Sequence, residues 1–173
     1  MKILLSIVFC LFLFAGNNLF AQHRNLTVIL LRHAEKDVSP SADKVNPNLS
    51  EEGKLRAQRL VKKINKYKPN AIYSSDFIRT KLTATPLSEK RRLVIQLYDH
   101  RKLNEIKELI MSGKIKRIVI VGHNSTTPAL ANMLIGAEKY KALSETEYDK
   151  IWVIKIKKKK TKPNKIKEKI LRY

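Results

Sequence analysis

The chain predicts an α/β fold, a three-layer sandwich in which a mostly parallel sheet lies between helices and a C-terminal β-hairpin sits at the sheet edge. Three observations carry that expectation. The runs LTVILL at Leu26–Leu31 and IKRIVIV at Ile115–Val121 have the continuous, β-branched apolar character of strands buried on both faces. Segments with apolar residues at helical spacing alternate with the strand-like runs, which is the order that parallel βαβ units need. Reactive side chains stand directly after the strands, where open parallel sheets bind their ligands.

Met1–Lys2 is a short positive start, Ile3 to Ala15 is apolar apart from Ser6, and Leu19-Phe20-Ala21 precedes Gln22. This is the layout of a secretory signal cut after Ala21. The apolar run is too short for the roughly 20 residues of a membrane span. The expectation is a signal peptide over 1–21, one domain over 22–173, and an exported protein, periplasmic or secreted. Cys10, the single cysteine, falls inside the signal, so the domain has no disulfide and no thiol nucleophile.

Leu26–Leu31 opens the domain as the first strand. After a polar loop with Pro40 and Pro47, Ser50 reads as an N-cap, with Glu51 and Glu52 suiting the helix dipole. Ala57, Leu60, Val61 and Ile64 fall at core spacing in a helix reaching about Tyr67, which Pro69-Asn70 breaks. Ala71-Ile72-Tyr73 is a short strand. Asp76 reads as the cap of a second helix that ends near Thr85, because Pro86 removes a donor. Leu93–Tyr98 is a third strand, Leu103–Met111 a helix stopped by Gly113, and Ile115–Val121 a fourth strand. Thr127–Ile135 is a helix with Pro128 in its tolerant first turn. Ile151–Ile156 and Ile166–Leu171 close the chain as a hairpin around Thr161-Lys162-Pro163-Asn164.

Lys and Arg number 36 against 15 Asp and Glu, a net charge of +21, while 43% hydrophobic and 29% charged residues are globular proportions that exclude a disordered chain. Between Lys155 and Lys169 stand nine lysines and one acid, Glu168. Alternation such as Ile154-Lys155-Ile156-Lys157 makes most of them the solvent face of strands, and lysine on an edge strand guards against edge-to-edge pairing. Only Trp152 and Tyr173 flank the run, so base stacking and a specific nucleic-acid partner are not expected. A weak electrostatic contact of this hairpin with anionic surfaces is, of the kind that about 0.5 M salt releases.

The post-strand residues are Arg32-His33-Ala34-Glu35, then Ser74-Ser75-Asp76 with Arg79 a turn later, then Asp99-His100-Arg101, then Gly122-His123-Asn124-Ser125. Arginine offers a planar fork for phosphate oxygens and a histidine nitrogen can be a covalent nucleophile, so their convergence would suit phosphoryl transfer. His33, His123 and Glu35 would also be acceptable zinc ligands. No HxxxH or HExxH pair accompanies them, and neither a metal nor another cofactor is expected.

LLRHAEK at Leu30–Lys36 resembles the RHG signature of the histidine phosphatase superfamily, the phosphoglycerate mutase-like fold. The likeness continues in order through LSEEGKLRAQRL at Leu49–Leu60, IYSSDFIRTKLTATPLS at Ile72–Ser88, VIVGHNSTTPALANML at Val119–Leu134 and the closing ILRY at Ile170–Tyr173, which is similar to short secreted members. The resemblance implies that His33 is the nucleophile that becomes a phosphohistidine. It implies that Arg32, Arg79 and His123 line the phosphate pocket, His123 as a cation, with Asn124 and Ser125 adding hydrogen bonds. Gly122 would let a ligand approach the backbone, and Glu52 and Gly53 would be structural.

Ala34 stands where the family has glycine, and Asn124 where its acid-phosphatase branch has the proton-donating aspartate. The long insertions of the mutases are missing. The proton donor is then Asp99 or Glu35, with Asp99 preferred because Glu35 can pair with Lys36. The expected activity is metal-independent hydrolysis of phosphomonoesters, on a phosphorylated small molecule or a phosphoprotein. The alternatives are a phosphohistidine-protein or sugar-phosphate phosphatase and, from another class, a non-catalytic phosphate-binding module.

Overall fold

The computed structural model describes residues 25–159 and 161–173; the expected signal over 1–21 lies outside them. β1 (Asn25–Arg32) forms because its alternate residues have separate cores to enter. Val28 and Leu30 pack with Ile106, Ile110, Leu130 and Leu134, whereas Ile29 and Leu31 pack with Leu60, Ile64, Ala84 and Leu87 on the opposite face. Burial on both faces is why the run carries no polar alternation.

The first helix, α1 (Glu51–Ile64), starts where the sequence places it: Ser50 Oγ accepts from Gly53 N at 3.1 Å. It tightens into a single 3₁₀ turn, Asn65–Tyr67, and ends at Lys68 with φ 49°. β2 (Ala71–Ser75) follows, then α2 (Ile78–Arg91). Two expectations for α2 need correction. Asp76 does not cap it; Asp76 pairs with Lys81 at 2.7 Å, and the Ile78 amide is capped from across the chain by Asn46 Oδ1 at 2.9 Å. Nor does Pro86 stop it, for the helix runs on to Arg91. An interior proline costs about 3 kcal/mol, and burying Ala84 and Leu87 on either side recovers about the same.

β3 (Ile95–Tyr98) is shorter than expected and forms one sheet edge, with Leu97 exposed. α3 (Leu103–Ser112) stops at Gly113, whose φ of 77° suits glycine. β4 (Arg117–Gly122), α4 (Thr126–Ile135), β5 (Lys150–Lys157) and β6 (Lys165–Arg172) complete the chain.

The sheet order is β3-β2-β4-β1-β5-β6. The first four are mutually parallel; β5 is antiparallel to β1, and β6 to β5. This is the predicted sandwich, with α1 and α2 packed on one face and α3 and α4 on the other. Arg32 pairs with Gly122, Ser74 with Val121 and Ser75 with Tyr98, so the four parallel strands end flush. Because β5 runs the other way, with Ile151 opposite Leu31, the α4–β5 loop arrives at that same end.

Candidate active site

Backbone contacts fix the first post-strand segment before any side chain matters. His33 N donates to Gly122 O at 2.9 Å, and Ala34 N to Thr83 Oγ1 at 2.9 Å, whose hydroxyl donates to Arg79 O at 2.7 Å. Glu35 O accepts from Ser50 N at 3.0 Å, and a Cβ on Gly53 would overlap that same carbonyl. Gly53 therefore lets α1 close onto the loop that carries His33. Gly122 serves a similar purpose: it makes room for Tyr98 and Thr127 side chains.

His33 is 4% exposed, with Nδ1 2.7 Å from Ala34 O. A carbonyl only accepts, so Nδ1 carries the hydrogen and Nε2 keeps its lone pair. Burial lowers this imidazole to about 3, against the Ala34 carbonyl and with help from Arg32 and Arg79, so the ring is neutral at physiological pH. The His123 ring lies 5.5 Å from His33, with Nε2 hydrogen-bonded to Ser75 Oγ at 2.9 Å. Burial, then the charges of Arg79, His100 and Arg32, lower it to about 4. The cationic His123 that the resemblance implies therefore requires an anion beside it.

Arg79 stacks its guanidinium 4.4 Å from the centre of the Phe77 ring, and its Nε and Nη1 are buried without a partner. Burial and the nearby Arg32 lower its pKa. Arg32 is 2% exposed and has a buried, unpartnered Nε. Its other nitrogens are committed to the α4–β5 loop: Nη1 to the carbonyls of Ser144, Glu147 and Glu145 at 2.7, 3.1 and 3.2 Å, and Nη2 to the Glu145 carboxylate at 3.1 Å. Glu145 also accepts from Asn124 Nδ2 at 2.8 Å, while Ser125 is exposed at the start of α4. Unpaired buried guanidinium donors are costly. Three of them around a neutral histidine make a seat for a tetrahedral oxyanion.

The two carboxylates take other partners. Glu35 is clasped by Arg56, whose Nε reaches both oxygens at 2.7 and 2.8 Å, so its partner is Arg56 and not Lys36. Arg56 also donates to Tyr173 O at 3.0 Å. Asp99 accepts from Arg101 Nε and Nη2 at 3.0 and 3.1 Å, and these bonds hold its carboxyl down at about 2. Asp99 is therefore an acceptor at neutral pH. Asp99 and His100 line a groove of about 470 Å³ with Asp76, Phe77, Tyr98 and Arg101. Its His100 ring is 5.1 Å from His123.

The structure thus gathers Arg32, His33, Arg79 and His123, places Asn124 at the rim, and leaves Glu35 turned to α1. Sequence reading missed Ser144–Tyr148, because this segment follows a helix and precedes a strand. Only the antiparallel placement of β5 beside β1 brings it here, and that pairing was the available signal.

Residues 28–114 match the profile of the histidine phosphatase superfamily (branch 1). Phosphoserine phosphatase 1 of Hydrogenobacter thermophilus is 34% identical over 91 residues, which are 51% of this chain and 42% of that protein; the match spans under half of that relative's length. A solved mycobacterial glucosyl-3-phosphoglycerate phosphatase superposes with a TM-score of 0.62 at 18% identity, covering 76% of this chain and 91% of its own. An Agrobacterium tumefaciens protein, provisionally assigned as the phosphohistidine phosphatase SixA, gives 0.59 at 22%, covering 75% and 90%. At these identities the structural likeness is one of fold.

Proposed function

The chain belongs to the histidine phosphatase superfamily (branch 1), and from that premise we propose that it hydrolyses phosphomonoesters through a phosphohistidine on His33. The observation that carries the reading is the set of unpartnered Arg79 and Arg32 donors around an imidazole whose Nε2 is free. In the first step the Nε2 lone pair attacks phosphorus, the bond to the leaving oxygen breaks, and that oxygen keeps the electron pair and takes a proton from solvent water in the open groove. In the second, water attacks the phosphohistidine and orthophosphate leaves. Arg79 and the Arg32 Nε offset charge on the transferring oxygens, the largest usual contribution to such catalysis. The bound dianion draws a proton onto His123, which then stabilises the same charge. The substrate phosphate takes over the Asn124 and Arg32 donors that Glu145 holds in the free protein.

Glu35, closed off by Arg56, has no part in proton transfer in this reading. Asp99 lines the groove beside His123, as does Asp76. Ionised under Arg101, with a pKa of about 2, the Asp99 carboxyl has no proton to give, so it is not the proton donor expected from the sequence. The groove is open, which fits leaving groups from a small phosphorylated metabolite to the side chain of a phosphoprotein. No metal enters this mechanism.

Purified protein should hydrolyse p-nitrophenyl phosphate in the presence of EDTA. His33→Ala should lower turnover by about a thousandfold or more, and acid-labile, alkali-stable phosphate should be trapped on His33 of the wild type. A wild type that binds orthophosphate but turns over no phosphomonoester would make the chain an anion-binding module instead.

A further inference from the structure

The loop between α4 and β5 does more than supply acceptors. It lays the ring of Tyr148 over the Arg32 guanidinium, 4.1 Å from ring centre to Cζ, and within 6.0 Å of the His33 ring centre at an interplanar angle of 58°. The three carbonyls of Ser144, Glu145 and Glu147 gather at one nitrogen of the same guanidinium. They fix one edge of that group, which the Glu145 carboxylate also holds through Nη2 in the free protein; once the substrate phosphate displaces that carboxylate, the plane can tilt about the edge. A ring stacked on the face removes the remaining freedom, because a guanidinium and an aromatic ring attract over their faces. Without it, Arg32 Nε, buried and unpartnered, would have no fixed direction.

We propose that Tyr148 is a positioning residue for phosphoryl capture: its ring sets the plane of the Arg32 guanidinium and braces His33, so that Arg32 Nε and His33 Nε2 face one phosphate. The proposal rests on the phosphatase reading above and adds to it a residue from outside every post-strand segment. The ring does the work in this arrangement; the hydroxyl does not. Arg32 is the partner through which it acts, and a lysine there has no plane to hold.

The test compares wild type, Tyr148→Phe and Tyr148→Leu, each also combined with Arg32→Lys. The readouts are kcat and KM for p-nitrophenyl phosphate and the Kd of orthophosphate by calorimetry. Tyr148→Leu should lower kcat/KM by roughly ten- to a hundredfold, as a misplaced catalytic group does, and weaken orthophosphate binding. Tyr148→Phe should recover that loss to within about threefold of wild type, since the ring persists. In the Arg32→Lys background Tyr148→Leu should add less than about twofold, the coupling expected of residues in contact. If Tyr148→Leu does not fold, Tyr148→Met makes the same comparison. Phenylalanine as damaging as leucine, or a full leucine effect in the Arg32→Lys background, overturns the proposal. If wild type binds orthophosphate without turnover, the phosphatase reading fails and the affinities alone decide on Tyr148. If it binds none, both fall.

Discussion

A neutral imidazole held by one backbone carbonyl is a costly thing to keep in a folded protein at low pH. His33 and His123 titrate near 6.5 in the open chain and at about 3 and 4 when folded. Below pH 6.5 the unfolded chain therefore binds protons that the folded one refuses. Their contribution to stability is complete above that pH and is lost as pH falls through 6.5 towards 4 and 3. Thermal melts from pH 7.5 to 4.5 should show Tm falling, and His33→Asn should flatten that slope; an equal slope in the variant would place the acid sensitivity elsewhere. Orthophosphate should raise Tm most near pH 6, where binding also charges His123. The four residues that cluster here were legible in the sequence because Arg32, His33 and His123 stand at or just after strand ends and Arg79 opens the helix that follows another strand. The fates of the carboxylates differ. Arg101 is two residues from Asp99 and its grip was readable, whereas Arg56 reaches Glu35 across 21 residues and only packing reveals it.

At the scale of elements, the site depends on how closely α1 approaches the loop after β1. Ser50 donates to the Glu35 carbonyl and caps α1, and Gly53 lets that carbonyl lie against the first turn. Gly53→Ala should cost about 1–3 kcal/mol, as overpacking does, and should reduce turnover more than it reduces folded protein, because the displaced segment carries His33. Parallel measurements of denaturant midpoint and kcat check this; a lower midpoint with unchanged kcat would separate α1 from the site. The helix and strand content was legible from apolar periodicity alone. Two boundaries of α2 were not, because Asn46, 32 residues away, supplies the cap and a buried Leu87 carries the helix past Pro86. β3 was overextended for a related reason: its apolar residues continue beyond the stretch that finds a partner strand.

In the whole molecule the excess positive charge is divided by geometry. Lys155 lies opposite Lys167 and Lys157 opposite Lys165 on the β5–β6 hairpin, at the end of β1 where Asn25 begins. The pocket is at the other end, about 20 Å away at the usual rise per residue. Like charges facing across strands repel, so the excess charge lies on the hairpin at a cost to pairing, away from Arg32 and Arg79. An export signal over the first 21 residues predicts that the mature chain begins at Gln22; intact-mass measurement of the exported protein checks it, and a retained Met1 would contradict it. The clamp on Arg32 has one more consequence. Its bonds join residues 112, 113 and 115 positions apart, so a growing chain displays His33 long before it owns the segment that clamps Arg32. Only when β5 zips against β1 is this cluster assembled. On the export and phosphatase readings proposed for this chain, a chain threaded unfolded through a membrane would leave the cytoplasm inert, and its first opportunity to cleave a phosphoester would come only once β5 has emerged and paired with β1.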